Sequence, residues 1–174
     1  MKLILVFAVA IAAAAIGNVT GTATTADAAV RQPQLVAADD PAPSALNPRV
    51  WSRIEIKMLN QHNRVRINRG VPRLRPTDQM GRVANHRCNQ IKTNFSHDGW
   101  QAAFGKFNVH ASTIGENIAW NAHPHHKTTI KAFQQWMNSP GHRANILRPS
   151  FKRVGIGHCA TPDGRHFWVG VFAG

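Results

Sequence analysis

The sequence predicts an α+β domain in which helices cover a small sheet, and three observations carry that prediction. Apolar residues recur at helical spacing through the first two thirds of the chain. Near the C-terminus the period changes to strict alternation: Val154, Ile156 and His158 against Gly155, Gly157 and Cys159, then Phe167, Val169 and Val171 against Trp168, Gly170 and Phe172. Between the two arms lies Thr161-Pro162-Asp163-Gly164, a strong turn signal that makes them an antiparallel hairpin. Helices early and strands late give a layered α+β architecture.

The first helix is expected to start at Asn47-Pro48, a capping residue followed by proline at the first helical position. Trp51, Ile54, Met58 and Val65 form its apolar stripe, with His62 on the same face, and Gly70 ends it. Residues 71–74 read as a short extended link. Thr77 caps a second helix running to about Thr93, with Met80, Val83, Ala84, Cys88 and Ile91 inward. A third helix spans 128–138, capped by the Thr128 and Thr129 hydroxyls and carrying Ile130, Phe133, Trp136 and Met137. Trp51, Met58, Phe133 and Trp136 are read as core. The strand glycines leave room for a helix or loop to approach closely.

Residues 1–28 read as an export signal: Lys2, an unbroken apolar run over 3–16, then Ala26-Asp27-Ala28 as an A-x-A cleavage site. The run is shorter than the roughly 20 apolar residues a spanning helix needs. An uncleaved anchor is the alternative. Residues 29–46, rich in Ala, Pro, Gln and Asp without periodicity, read as a flexible linker, and 47–174 as the folded domain. The expected location is therefore secreted, extracellular or attached to the cell envelope, with no transmembrane segment in the mature protein.

The formal charge is +13, and it favours polyanions such as envelope polymers and anionic headgroups. Arg64, Arg66, Arg69, Arg73, Arg75, Arg82 and Arg87 fall in one stretch and suggest a basic patch, with a plain solvated surface as the alternative. No zinc-finger spacing or stacking-aromatic motif accompanies them, so no specific nucleic acid is implied. Cys88 and Cys159 are the only two cysteines. In an exported protein they form a disulfide closing a loop of about 70 residues, worth roughly 4 kcal/mol, or else stay as buried thiols.

Four segments carry a family resemblance. They are Leu59-Asn60-Gln61-His62-Asn63 with Arg66 and Gly70-Val71-Pro72; Phe95-Ser96-His97; Gly115-Glu116-Asn117-Ile118-Ala119; and the run from Trp136 through Ser139-Pro140-Gly141-His142-Arg143 to Leu147, followed by Phe151 and Gly155-Ile156-Gly157. In order and spacing they resemble the CAP superfamily (cysteine-rich secretory proteins, antigen 5 and pathogenesis-related 1), in its bacterial form. The resemblance runs from about Val50 to the C-terminus. It implies a three-layer α-β-α sandwich with a small antiparallel sheet, and a cleft lined by histidines and glutamates that in some members binds zinc or another divalent cation.

Carried over residue by residue, the cleft is His97, Glu116 and His142. Where the family has a second glutamate this chain has Ser139, and a last-strand glutamine is replaced by Gly170, which is expected to open the cleft. The cysteine-rich C-terminal extension of animal members is missing, so channel-blocking activity is not implied. Two imidazoles and one carboxylate suit zinc and leave one position for water. The plainer alternative is structural: histidines that brace a loop and a glutamate that satisfies backbone donors.

Ser139 with His142 and Glu116 suggests a hydrolytic constellation, but neither the H-E-x-x-H nor the G-x-S-x-G motif is present. His123-Pro124-His125-His126 is read as a solvated loop, with surface metal chelation as the alternative. Three functions follow as expectations. The first is a binding module for a divalent cation or for a lipid, sterol or cell-envelope ligand. The second is a secreted hydrolase, and the third an electrostatic polyanion binder.

Overall fold

A computed structural model describes residues 46–174. The expectations for the export signal and for nearly all of the linker lie outside these residues. Helices α1 (Arg53–Ile67), α2 (Asp78–Ile91), α3 (Trp100–Lys106), α4 (His125–Asn138) and α5 (Pro140–Leu147) surround strands β1 (Arg75–Pro76), β2 (Ile114–Asn121), β3 (Arg153–Ala160) and β4 (His166–Ala173). The strand order is β1-β3-β4-β2.

The predicted hairpin is β3–β4, in antiparallel register with Ile156 opposite Gly170. β2 pairs antiparallel on its other side, with Glu116 opposite Val171. The sheet is not wholly antiparallel, because the link after α1 leads into β1, which runs parallel to β3. Alternation along the strands divides the interior into two cores, one on each face. Trp168, Phe172, Val154 and Ile156 join Met58 and Trp136 of α1 and α4. Phe167, Val169, Val171 and Ala173 join Met80, Val83 and Ile91 of α2 and Phe104 of α3.

The α2 contact depends on strand glycines. A Cβ at Gly155 would strike the Met80 carbonyl, and one at Gly157 would lie 2.5 Å from the Ala84 carbonyl. Helix and strand backbones are therefore in direct contact, the close approach expected from the alternating glycines.

Several boundaries differ from expectation for local reasons. Asn47 and Pro48 begin a turn, closed by Val50 N–H donating to Asn47 O at 2.8 Å, rather than the helix. α1 starts after Ser52, whose N–H and hydroxyl both donate to Glu55 at 2.7 Å. It ends at Ile67, and Gly70, at φ +67°, completes the reversal that follows. Thr77 does cap α2, accepting from Met80 N–H, but the helix stops at Ile91 rather than near Thr93.

α4 begins three residues earlier than expected, after Pro124, and this changes two readings. Thr128 and Thr129 are buried inside the helix instead of capping it, and Thr128 Oγ1 accepts from Trp168 Nε1 at 2.9 Å. His125 and His126 belong to the first helical turn and not to a loop. Ile130 on the same helix is 43 % exposed.

The basic stretch is split by burial. Arg64, Arg69, Arg73, Arg75 and Arg82 are exposed, while Arg66 and Arg87 are buried and belong to no surface patch. Arg66 donates to the carbonyls of Pro72, Ile146, Arg148 and Phe151 at 2.7–3.0 Å, fastening α1 to the turn after α5. Burial lowers its pKa to about 10. Cys88 and Cys159 form the disulfide between α2 and β3, with Cα atoms 5.9 Å apart.

Candidate functional site

The fold brings His97 onto Glu116 and sets His142 near them. Glu116 projects from β2 and its side chain is almost fully buried. His97 follows α2 in the loop before α3, and His142 stands in the first turn of α5. His97 Nδ1 lies 2.9 Å from Glu116 Oε1. Against a carboxylate, Nδ1 carries the proton, so Nε2 is left available on a side chain that is 51 % exposed. His142 is partly buried; burial lowers its pKa, and the charge of His97 adds to the effect.

The residue that organises this arrangement is Arg87. Its Nε donates to Glu116 Oε2 at 2.6 Å and its Nη2 to Oε1 at 3.1 Å, a two-pronged grip on the carboxylate. Nη2 also donates to Ser96 O at 2.9 Å, and Nη1 donates to Asp98 O at 2.8 Å and Gln90 Oε1 at 2.7 Å. All five guanidinium donors are used. One side chain therefore neutralises Glu116 and holds the loop that presents His97. The sequence reading placed Arg87 in a surface patch. The signal that could have corrected it is spacing, since Arg87 follows Val83 and precedes Ile91 by four residues on the inward face of α2.

Asn117 positions the third member. Its Nδ2 donates to His142 O at 3.0 Å, and its Oδ1 accepts from Asn145 Nδ2 at 3.0 Å, tying β2 to α5. Ser139 precedes α5 and accepts there through its backbone, from Arg143 N–H at 2.9 Å. Among the described residues no hydrogen bond joins the Ser139 hydroxyl to either cleft imidazole. Gly170 does not open the cleft: a Cβ there would meet Phe172 and Trp136 at 3.4–3.6 Å, within the apolar layer.

This donor set does not fit a three-ligand metal site. Both Glu116 oxygens are committed, to Arg87 and to His97, and the adjacent guanidinium cancels the charge that would hold a cation. As the side chains stand, no three His, Cys, Asp or Glu groups among the described residues gather as ligands of one ion. No helix among them is long and apolar enough to cross a membrane.

Comparison with known proteins identifies the family of the chain. YkwD, an uncharacterized protein of Bacillus subtilis, is 28 % identical over 134 residues, covering 73 % of this chain and 49 % of YkwD. An extracellular SCP-domain protein of Bacillus anthracis is 28 % identical with a TM-score of 0.60, over 69 % of this chain and 40 % of that one. The chain thus spans half or less of these relatives. An outer surface protein of Borrelia burgdorferi shares the fold at 15 % identity and a TM-score of 0.62, over 70 % of this chain and 92 % of that one. Residues 59–172 match the family model described as the cysteine-rich secretory protein family. With the α-β-α layers, the Glu116–His97 contact and the α5 histidine in place, the chain belongs to the cysteine-rich secretory protein (CAP) family.

Proposed function

We propose that this chain is an exported CAP-domain binding module for an anionic component of the cell envelope, a phosphate-bearing headgroup or polymer, and not an enzyme. The observation that carries the reading is the outward face of α1. Arg53, Lys57 and Arg64 are exposed at spacings that place them on one stripe of the helix. The acid on the same helix does not offset them: Glu55 is buried on Ser52 and the His158 N–H. The cleft contributes a hydrogen-bonding recess through His97 and His142. Export draws support from the descriptions of relatives as extracellular or as outer surface proteins.

Cosedimentation with phosphatidylglycerol and phosphatidylcholine vesicles, in the presence of a chelator, tests the proposal. Binding is expected on the anionic vesicles only, falling about tenfold or more between low and physiological salt, and weakened in Arg53→Glu/Lys57→Glu/Arg64→Glu. Equal binding to both vesicles, or no dependence on salt, would overturn it.

A hydrolase is the second reading, and the His97–Glu116 contact is what favours it, since a carboxylate behind an exposed imidazole orients a general base. Hydrolysis of an ester or peptide library that disappears in His97→Ala would establish it over the binding role.

A further inference from the structure

A second group of histidines lies away from the cleft, assembled from three elements. His158 on β3 and His166 on β4 stand diagonally across the antiparallel pair, where His158 faces Trp168 and His166 faces Ala160. His158 Nε2 is 3.0 Å from His166 Nδ1. His125, in the first turn of α4, brings its ring to 6.0 Å from that of His158 and 5.9 Å from that of His166, centroid to centroid. His125 and His158 open into a groove of about 540 Å³, lined also by Arg49, Glu55, Asn85 and Asn89 and by the disulfide.

The His158–His166 distance is close to that of two imidazoles sharing one ion, and the His125 ring has to turn to complete the set, since no three such groups converge as the side chains stand. With metal–nitrogen bonds of about 2.0–2.1 Å in a tetrahedral site, two ligand nitrogens lie about 3.3 Å apart and their ring centres about 5–6 Å apart. The His158–His166 pair is within a few tenths of an ångström of that spacing. His125 is exposed on a helix end, so it can turn its ring toward the pair without disturbing the core.

We propose that His125, His158 and His166 form a site for a divalent transition metal of the imidazole-preferring kind, zinc or copper, with the groove supplying the remaining position for water or a small ligand. The site excludes calcium and magnesium, which need converging oxygens. The carboxylate lining the groove, Glu55, spends one oxygen on the His158 N–H at 2.9 Å and the other on Ser52. Arg49 and Arg53 also line the groove. This inference does not rest on the envelope-binding proposal, whose test is run with chelator present.

The experiment is zinc titration by calorimetry on the purified protein, with calcium as control. His125→Ala/His166→Ala is compared with the cleft variant His97→Ala/His142→Ala, and thermal melts confirm that each is folded. Imidazole resonances followed by NMR locate the ion. One-to-one zinc binding is expected, weakened at least tenfold in His125→Ala/His166→Ala and within twofold of wild type in the cleft variant, with the His158 resonances shifting on addition. Absence of zinc binding in the wild type, binding that survives the first variant, or binding lost only in the cleft variant would overturn the proposal.

Discussion

At the cleft, His97 meets a carboxylate that a buried guanidinium already neutralises; at the β3–β4 pair, the His158 ring hydrogen-bonds to another imidazole and packs against Trp168. Both regions bring partly exposed rings to a recess, yet their electrostatics are opposite. The cleft is closed around its own ion pair and has little left for a cation. The strand histidines repel one another as they protonate, and their lone pairs are uncommitted apart from a single hydrogen bond. The family motif marks the first region, while strand pairing and a helix end create the second. A histidine is available to a metal according to what already satisfies its neighbours, and a motif does not reveal that.

The contrast can be tested most severely at Arg87. Replacing it with Met strands a buried carboxylate and should cost about 3–5 kcal/mol in urea melts, whereas Arg87→Met/Glu116→Leu should recover much of that loss. Equal costs for the single and double variants would show that the ion pair does not organise the cleft. Behind the histidine cluster, removing the disulfide with Cys88→Ser/Cys159→Ser should lower stability by about 2–4 kcal/mol, read in the same melts.

Acid should separate the buried histidines from the exposed ones. His62 is fully buried among Phe133, Trp136 and Phe172, and burial lowers its pKa from 6.5 to about 4. The unfolded chain binds the extra proton between these values, so stability is complete above pH 6.5 and declines as pH falls toward 4, by about 3 kcal/mol for this residue. His158 acts in the same direction over the same window. Melts across that range should show the decline, and both His62→Leu and His158→Gln should flatten it. A profile unchanged in both variants would place the acid sensitivity elsewhere. The smallest effect expected is at His125: without metal, His125→Ala should change stability by less than about 0.5 kcal/mol, because the side chain is exposed. A larger loss would mean that His125 braces α4 structurally.

Much of the architecture was legible because it rests on local chemistry. Thr77 marked the start of α2, the alternation over Val154–Cys159 and Phe167–Phe172 marked the hairpin, and the strand glycines marked the face that α2 covers. The start of α1 was misplaced because two capping signals, Asn47-Pro48 and Ser52 with Glu55, stand within a few residues of each other, and only the second lies where the chain can turn into the core. The Gly115-Glu116-Asn117 segment could be helix or strand by itself. Pairing with β4 made it a strand and put Glu116 and Asn117 on opposite faces, one toward Arg87 and the other toward α5.

By itself the sequence determined the fold class, the family and the two cysteines available to pair, which follow from periodicity, composition and motif order, while the resemblance pointed to His97, Glu116 and His142 as the cleft. Tertiary structure alone decided which charges are used up inside. Seven arginines in one stretch look alike in sequence, but Arg66 and Arg87 are drawn into the interior, where carbonyls and a carboxylate replace water. It also decided that His125 leaves its sequence neighbours to meet His158 and His166. Burial and proximity across strands depend on how distant segments pack, and no local pattern records that packing.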